Sequence, residues 1–309
     1  MYPDRFRADL EAKPAALAGL AAALRKENPF AGLPDVRRVV FLGMGSSRYA
    51  AGVAALRLRG QGIDAVAEYA SAVPYRPAPG TLVVAISATG GSREVIDALA
   101  SHEGHIALTN VEGSPVTEGA GLVVPMLAGP EEGGVACRSF QHTLALLLSL
   151  EEHLTGRPLG VPELVLRAAD ASAALLARRW LDGALELLDG PDGLYTIAPA
   201  ERLSSAEQSA LMVREGPRRV ADACETGDWA HVDVYLTKTR DYRALLFPGS
   251  RYDAQAMEWV VRRGSTVLAV GGEVEGARAS VRYPGDSDPD VALLTETLVA
   301  ELVASSWWT

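Results

Sequence analysis

The sequence predicts an α/β protein built on parallel sheets, and three observations support this fold class. Short runs of β-branched and other apolar residues alternate along the chain with helical stretches rich in alanine and leucine. The apolar runs are continuous, as expected for strands that helices cover on both faces of a sheet. The order of strands and helices then returns in the second half of the 309-residue chain. We therefore expect two copies of one α/β unit, joined by a helix.

The first half supplies the clearest elements. Strands are predicted at 37–43, 65–70, 81–87, 105–110 and 121–126, and helices at 47–60, 92–102 and 138–154. Ligands of parallel sheets bind at the carboxyl ends of the strands, in the loops that lead into the helices. The loops that follow these strands are therefore where a ligand is expected.

A proline- and glycine-containing stretch at 157–164 separates the halves, and one helix is predicted from about 163 to 188. Strands at 194–199 and 266–271 follow. Residues 54–71 match 209–226 at a constant offset, which supports a duplication. The predicted organisation is a helical lead, a first α/β domain, a linker with its helix and a second domain, at 1–34, 35–155, 156–190 and 191–309.

Composition and charge exclude several classes of protein. The net charge of −10 argues against a nucleic-acid partner, whose phosphates require a basic face. No apolar stretch reaches the roughly 20 residues of a membrane span, and the N-terminus is charged where a signal peptide would be apolar. We therefore expect a cytoplasmic protein. Cys137 and Cys224 lack CxxC spacing and are predicted to be small buried hydrophobes, and no metal or cofactor is predicted.

Two glycine- and serine-containing turns of the first half could bind an anion. "GMGSS" (43–47) follows the first strand, and "SATGGS" (87–92) follows the third. Each offers hydroxyls beside the unpaired N–H groups of a helix start. Taken alone, either turn is better explained as an ordinary helix cap, and "GMGSS" is neither a P-loop nor a G-x-G-x-x-G motif, because Arg48 occupies the third glycine position. Together, at the ends of strands in one sheet, they favour an anion site.

The second half has different residues at the corresponding places. It carries "APAERLSS" (198–205) and "FPGSRYDA" (247–254). A loop with "APA" in place of "GMG" cannot approach a phosphate as closely. One anion site per chain is therefore expected, and a nucleotide-binding fold is disfavoured, because no acidic ribose ligand follows the first loop.

Five motifs resemble the sugar isomerase (SIS) domain family in order and spacing: "GMGSSRYAA", "EYASAVPYR", "TLVVAISATGGSREVIDAL", "IALTN" and "AGPEEGGVACRSF". The resemblance spans about residues 35–305 and is strongest to the isomerase half of glucosamine-6-phosphate synthases. It implies two tandem three-layer sandwiches with parallel sheets of about five strands. It also implies a sugar-phosphate ligand, held at Gly45, Ser46, Ser47, Ser87, Thr89, Gly90 and Ser92, with the sugar contacted by Val135 and Ala136.

The same resemblance extends to catalytic positions in the second half. "EQSALMVREGP" places Glu215 at the family glutamate that moves a proton between carbons 1 and 2, and "ETGDWAHVD" places His231 at the ring-opening histidine. In the family this histidine comes from the neighbouring subunit, so a homodimer with shared active sites is implied. The alternatives are a solvated carboxylate at a helix end and a surface or interface histidine.

Departures from the family pattern leave the activity open. The chain starts without a glutaminase domain, and none of Lys13, Lys26 and Lys238 matches the family's tail lysine. Polar positions around the sugar become Ala88, Cys137 and Met212. We expect an aldose–ketose isomerase, or an amino-sugar phosphate isomerase or deaminase, without glutamine amidotransferase activity; the alternative is a non-catalytic phosphosugar-binding or sensing protein.

The C-terminal pair Trp307 and Trp308 allows two interpretations. The first is packing of the last helix against the body or a partner subunit, which is what exposed helix-end aromatics commonly do. The second is closure of the ligand pocket.

Overall fold

The computed structural model describes residues 1–34, 36–72, 78–100 and 102–308, which form two compact units. One, the first-sheet unit, comprises Ala15–Glu131 and Ala136–Leu166. The other, the second-sheet unit, comprises Met1–Pro14, Glu132–Val135 and Arg167–Thr309. The boundaries expected from the sequence at 34, 155 and 190 remain predictions.

The first-sheet unit contains five parallel strands: β1 (Arg38–Gly43), β2 (Asp64–Tyr69), β3 (Thr81–Ile86), β4 (Ile106–Thr109) and β5 (Leu122–Pro125). Each begins and ends within a residue of its predicted bounds. Their order in the sheet is β2-β1-β3-β4-β5. β1 and β3 are almost entirely buried, because they lie inside the sheet and are covered by helices.

The helices that precede and follow these strands are α1 (Pro3–Glu11), α2 (Lys13–Lys26), α3 (Gly45–Gly60), α4 (Arg93–Leu99) and α5 (Arg138–Thr155). α3 packs against β1, β2 and α5. Arg57 of α3 forms a half-buried ion pair with Glu151 of α5, with 2.5 Å between Nε and Oε2. The last four residues of the motif "EYASAVPYR", 73–76, lie outside the described residues.

The second-sheet unit repeats the strand order. Its parallel strands are β6 (Leu194–Ala198), β7 (Ala221–Glu225), β8 (Arg243–Leu246), β9 (Thr266–Val270) and β10 (Ala279–Val281), arranged β10-β9-β8-β6-β7. When the strands are numbered within each half, both sheets have the strand order 2-1-3-4-5. In this order, the first and third strands lie on either side of the point where the strand order reverses.

The remaining helices are α6 (Val161–Leu176), α7 (Leu181–Leu188), α8 (Leu203–Glu215), α9 (Thr226–Trp229), α10 (Asp253–Arg263), α11 (Pro289–Thr295) and α12 (Thr297–Trp307). α1 packs against α12. There, the side chains of Lys13 and Glu301 are fully buried and form an ion pair with 2.6 Å between Nζ and Oε2.

The prediction of a single helix over 163–188 is wrong, because the chain forms two helices, α6 and α7, with a break between them. Arg178 adopts a positive φ of 59°, which an α-helix cannot accommodate. The indole Nε1 of Trp180 donates a hydrogen bond to the carbonyl oxygen of Leu175, at 3.2 Å. Apolar periodicity continues through the break, so the sequence pattern did not reveal it.

Among the described residues, no helix has the length and apolar character needed to cross a membrane.

Candidate functional site

The loop after β1 leads straight into α3, and the residue before the helix provides no side-chain cap. Gly43 ends β1, Met44 is extended and contributes no side-chain cap, and α3 begins at Gly45, whose φ is +50°. Ser46 and Ser47 lie in the first turn and are half-buried. A Cβ on Gly43 would lie 3.1 Å from the backbone nitrogen of Arg48, so glycine permits this close approach of strand and helix. Uncapped N–H groups at the positive end of the helix dipole favour an anion.

The loop after β3 is more tightly organised. Ser87 is buried, and its Oγ accepts a hydrogen bond from the Ser92 N–H at 3.3 Å. The exposed Thr89 accepts one through Oγ1 from the Gly91 N–H, also at 3.3 Å. Gly90 has a φ of +68°, and a Cβ there would lie 1.9 Å from Oγ of Ser114. Glycine is therefore required at position 90 for both conformation and space.

Strand pairing brings these two loops to one edge of the first sheet. β1 and β3 are parallel neighbours, with Leu42 opposite Ala85, and both end one residue later. Adjacent strands lie about 4.8 Å apart, so the loops leave the sheet side by side. This is the point where the strand order changes direction and where ligands of such sheets bind. The predicted residues Gly45, Ser46 and Ser47 lie in the first turn of α3, and Ser87, Thr89, Gly90 and Ser92 lie in the loop after β3.

Arg48 is a further candidate at this edge, although in the sequence it stands out only as a mismatch to a glycine motif. Its guanidinium lies 4.2 Å from the ring centroid of Tyr69 and 5.6 Å from that of Tyr49. Tyr69 ends β2 directly opposite Gly43. The stacking holds a permanent positive charge beside the first turn of α3. The signal that could have identified it is an arginine immediately after the two serines.

The predicted sugar-contacting residues lie before α5. Val135 is buried within the second-sheet unit, and Ala136 is half-buried within the first-sheet unit. The side chain of Glu131 caps the N-terminus of α5, because its Oε1 accepts hydrogen bonds from the N–H groups of Cys137 and Arg138, both at 2.7 Å. A carboxylate at this position also interacts favourably with the helix dipole.

Glu215, the last residue of α8, is half-buried in the second-sheet unit. Burial raises the pKa of its carboxyl group, and the neighbouring Arg214 only partly offsets this. The next residue, Gly216, lies against Trp308, since a Cβ there would be 2.8 Å from Cε3 of the indole. Trp308 also packs on Phe6, with 5.6 Å between ring centroids. For Trp308, these contacts agree with the first interpretation, packing against the body or a partner subunit.

His231 is exposed, but the backbone on both sides of it is anchored in a buried network. Nε1 of Trp229 donates to Oη of Tyr242 at 2.8 Å, and that hydroxyl donates to Oδ2 of Asp233 at 3.0 Å. Tyr242 in turn stacks on Tyr195, with 4.1 Å between centroids. A fixed backbone with an exposed imidazole is suited to reaching a ligand outside its own unit's core.

Both cysteines are buried, as predicted, and they form no disulfide with each other. Burial raises the pKa of the Cys224 thiol to about 12, and the nearby carboxylates, Asp233 foremost, add to the effect. Cys224 therefore remains a thiol at neutral pH and is a poor nucleophile.

The equivalent edge of the second sheet is occupied by an internal arginine. Nη2 of Arg202, just after β6, donates to the carbonyl oxygen of Pro248, just after β8, at 2.6 Å. Nε of Arg202 donates to Oε1 of the buried Glu296 at 2.9 Å. The two loops that correspond to the serine-containing loops of the first sheet are thus joined by the chain's own guanidinium.

Comparison with known proteins supports the resemblance found in the motifs. Residues 32–151 match the family model described as SIS domain. Glutamine–fructose-6-phosphate aminotransferase (isomerizing) of Aeropyrum pernix is 28% identical over 233 residues, which cover 68% of this chain and 34% of the relative. The Halobacterium salinarum protein of the same name is 28% identical over 251 residues, covering 73% and 41%. The chain thus spans well under half the length of the curated relatives it matches.

Solved structures share the fold at low identity. The C-terminal domain of glucosamine-fructose-6-phosphate aminotransferase from Francisella tularensis superposes with a TM-score of 0.83 at 15% identity, over 98% of this chain and 96% of that one. Tagatose-6-phosphate ketose/aldose isomerase from Escherichia coli gives 0.75 at 15%, over 98% and 92%. Glucosamine-6-phosphate deaminase from Thermotoga maritima gives 0.73 at 19%, over 98% and 93%.

Proposed function

Because residues 32–151 of this chain match the SIS domain model, we propose that the protein binds a sugar phosphate and isomerises it. The observation that carries this proposal is the pair of hydroxyl-bearing loops that follow the neighbouring strands β1 and β3. The names of the structural neighbours support it, since they include a ketose/aldose isomerase and a deaminase of phosphosugars.

The phosphate group is held by the loops of the first sheet. The first-turn N–H groups of α3, together with the hydroxyls of Ser46 and Ser47, face it from one strand end. Ser87, Thr89 and Ser92 contribute from the next strand, and Arg48 adds a full positive charge. Binding energy from this remote group orients the sugar for reaction.

The chemical step is a proton transfer between adjacent carbons. Glu215 as a carboxylate removes the proton from the carbon next to the carbonyl, which gives an enediolate. It returns the proton to the carbon that carried the carbonyl, while a proton moves from the hydroxyl oxygen to the former carbonyl oxygen. Burial raises the pKa of Glu215 towards the working pH, which improves a general base or acid. His231 opens the sugar ring by moving a proton between the ring oxygen and the hydroxyl. With a 2-amino sugar, the same proton transfer gives an imine at carbon 2, which water hydrolyses to the ketose and ammonia.

We further propose two tandem SIS-type domains, joined through α6, that act as a homodimer. The identical strand order of the two sheets supports the duplication. The exposed position of His231 supports a contribution to the site of a neighbouring copy.

A binding protein without turnover is the second candidate, and the apolar substitutions favour it. Met212 and Cys137 are fully buried, so neither offers a polar contact to a sugar. Sδ of Met212 instead accepts a weak hydrogen bond from Nε2 of Gln208, at 3.5 Å.

The deciding experiment measures binding and turnover on the same panel of compounds. We expect fructose 6-phosphate, tagatose 6-phosphate or glucosamine 6-phosphate to raise the melting temperature and, on NMR, to give a new isomer or ammonia. A higher melting temperature without a product would favour the binding protein. If no sugar phosphate raises the melting temperature or gives a product, both candidate functions are refuted.

Substitution of the loop serines tests the binding part directly. The double variant S46A/S87A should bind the same phosphosugar about tenfold or more weakly, because two hydrogen bonds to a charged group are lost. The matched control is S250A, in the corresponding loop of the second sheet, which should bind as the wild type does.

A further inference from the structure

A separate cavity of about 300 Å³ lies in the second-sheet unit, at the edge where the strands begin. Leu194, the first residue of β6, and Val220, just before β7, form part of its wall. Ligands of such sheets normally bind at the opposite, carboxyl edge. The volume is at the lower end of the range for small-molecule sites. The complete lining is Leu188, Gly190, Pro191, Gly193, Leu194, Arg218, Arg219, Val220 and Trp307.

The charges of the lining are all positive. Arg218 and Arg219 contribute to the wall, and no acidic residue is among the lining residues. Arg218 is exposed and has no ion pair among the described residues. Arg219 is already oriented, because its Nη1 lies 2.7 Å from Oδ1 of Asp189 and its guanidinium lies 4.3 Å from the ring centroid of Trp307. In a chain of net charge −10, two arginines in the wall of one cavity favour an anion there, although Asp189 already pairs with one of them.

The wall that carries the arginines is held rigidly. Gly193, with a φ of +89°, packs so closely on the next segment that a Cβ would lie 2.4 Å from the carbonyl oxygen of Val220. Arg218 adopts a φ of +57°, a strained conformation for a residue other than glycine. The N–H of Arg219 donates to the carbonyl oxygen of Val213 in α8, at 3.1 Å. The arginines therefore project from a preformed backbone, and binding requires little ordering of the chain.

We propose that this cavity binds the oxyanion group, phosphate or carboxylate, of a small metabolite. Guanidinium groups pair with both kinds of oxyanion in bidentate fashion, and the indole of Trp307 supplies a flat apolar wall for the rest of the molecule. The site uses none of the residues proposed to hold the phosphosugar, so it stands independently of the proposed function.

Calorimetric titration of the full chain with inorganic phosphate and, separately, with citrate tests the proposal. We expect R218Q and R219Q each to weaken binding at this site about tenfold or more, because each removes a charge-assisted hydrogen bond. W307F should weaken it less. R278Q, which removes an exposed arginine elsewhere on the same unit, should bind both anions as the wild type does.

The two anions distinguish the two sources of the oxyanion. Tighter binding of phosphate identifies a phosphorylated metabolite, and tighter binding of citrate identifies a carboxylated one. Inorganic phosphate should also bind the serine-containing loops, so in that titration the arginine variants should lose one of two sites, while S46A/S87A weakens the other.

The proposal is overturned if neither anion binds the wild type at millimolar concentration, or if R218Q and R219Q both bind as it does. R219Q also loses the Asp189 ion pair and could unfold; R218Q, which breaks no ion pair, then decides alone. Absence of phosphosugar turnover with this binding intact refutes the proposed function only.

Discussion

Glu215 illustrates how a single side chain links stability to the proposed chemistry. It ends α8 beside Gly216 and Trp308, in surroundings that raise the pKa of its carboxyl group. The folded chain therefore holds this proton more tightly than the unfolded chain does. Its contribution to stability is complete below the usual pKa near 4.5 and is lost as the pH rises through the raised folded pKa.

Replacement of Glu215 by glutamine should accordingly raise stability and abolish activity. Above the folded pKa, E215Q avoids the burial of an ionised carboxylate and should melt at a higher temperature than the wild type, while the two should converge below about pH 4.5. Turnover should fall by about 10²- to 10⁴-fold with ligand affinity near normal.

Thermal melts across this pH range and steady-state kinetics measure the two effects. E215Q with unchanged turnover would remove Glu215 from the mechanism, and a melting difference that is independent of pH would contradict the assigned cause.

Gly90 shows a residue whose identity is dictated by space. G90A would place a methyl group 1.9 Å from Oγ of Ser114 at a φ that alanine rarely adopts, so the loop after β3 must move. We expect a loss of about 1–3 kcal/mol in the free energy of unfolding, and weaker phosphosugar binding.

The neighbouring G91A is the matched control, because the nearest atom to its methyl group is Oγ1 of Thr89 at 4.0 Å and its φ is not positive. Urea unfolding of both variants checks the prediction. Equal effects of G90A and G91A would contradict it.

At the scale of elements, the two sheets share one strand order but differ in the loops at the carboxyl ends of their strands. In the first, the loops after β1 and β3 present hydroxyls and an uncapped α3. In the second, Arg202 ties the loops after β6 and β8 together and is itself neutralised by Glu296. One edge is left available for a ligand, and the other is closed by an internal ion pair.

Loss of Arg202 should therefore destabilise the second-sheet unit strongly. R202L leaves the fully buried carboxylate of Glu296 without its partner, which should lower the free energy of unfolding by about 3–5 kcal/mol. The double variant R202L/E296L should recover most of this loss, because it removes the unpaired charge as well. Chemical denaturation of the three proteins measures both changes, and a double variant no more stable than R202L would show that the ion pair is not the cause.

At the scale of the whole molecule, the proposed shared site predicts complementation between subunits. E215Q and H231A should each be inactive alone. If His231 serves the site of a neighbouring copy, unfolding and refolding an equal mixture yields dimers with one intact site, and about one quarter of the wild-type activity should return. A mixture of E215Q with E215A is the control and should stay inactive. No recovery in the first mixture would place both residues in one subunit's site, or would show that no dimer forms.

The sequence by itself determined the strands of the first half and the loops that follow them. Continuous apolar runs that alternate with helices indicate strands buried on both faces of a parallel sheet, so these five strands and the helix α5 were predictable almost to the residue. The serine-containing turns were identifiable because two of them follow strands of one sheet, whereas either turn alone is better explained as a helix cap. The break at Arg178 was not predictable, because apolar periodicity runs through it.

Only the tertiary structure decided which side chains meet. That β1 and β3 are neighbours, that Arg48 stacks on Tyr69, and that Arg202 joins two loops all depend on pairing between segments far apart in sequence. The raised pKa of Glu215 and the cavity beside Trp307 have the same origin. Local pattern reports which faces are apolar, whereas burial, charge pairing and concavity are properties of segments that touch only after the chain has folded.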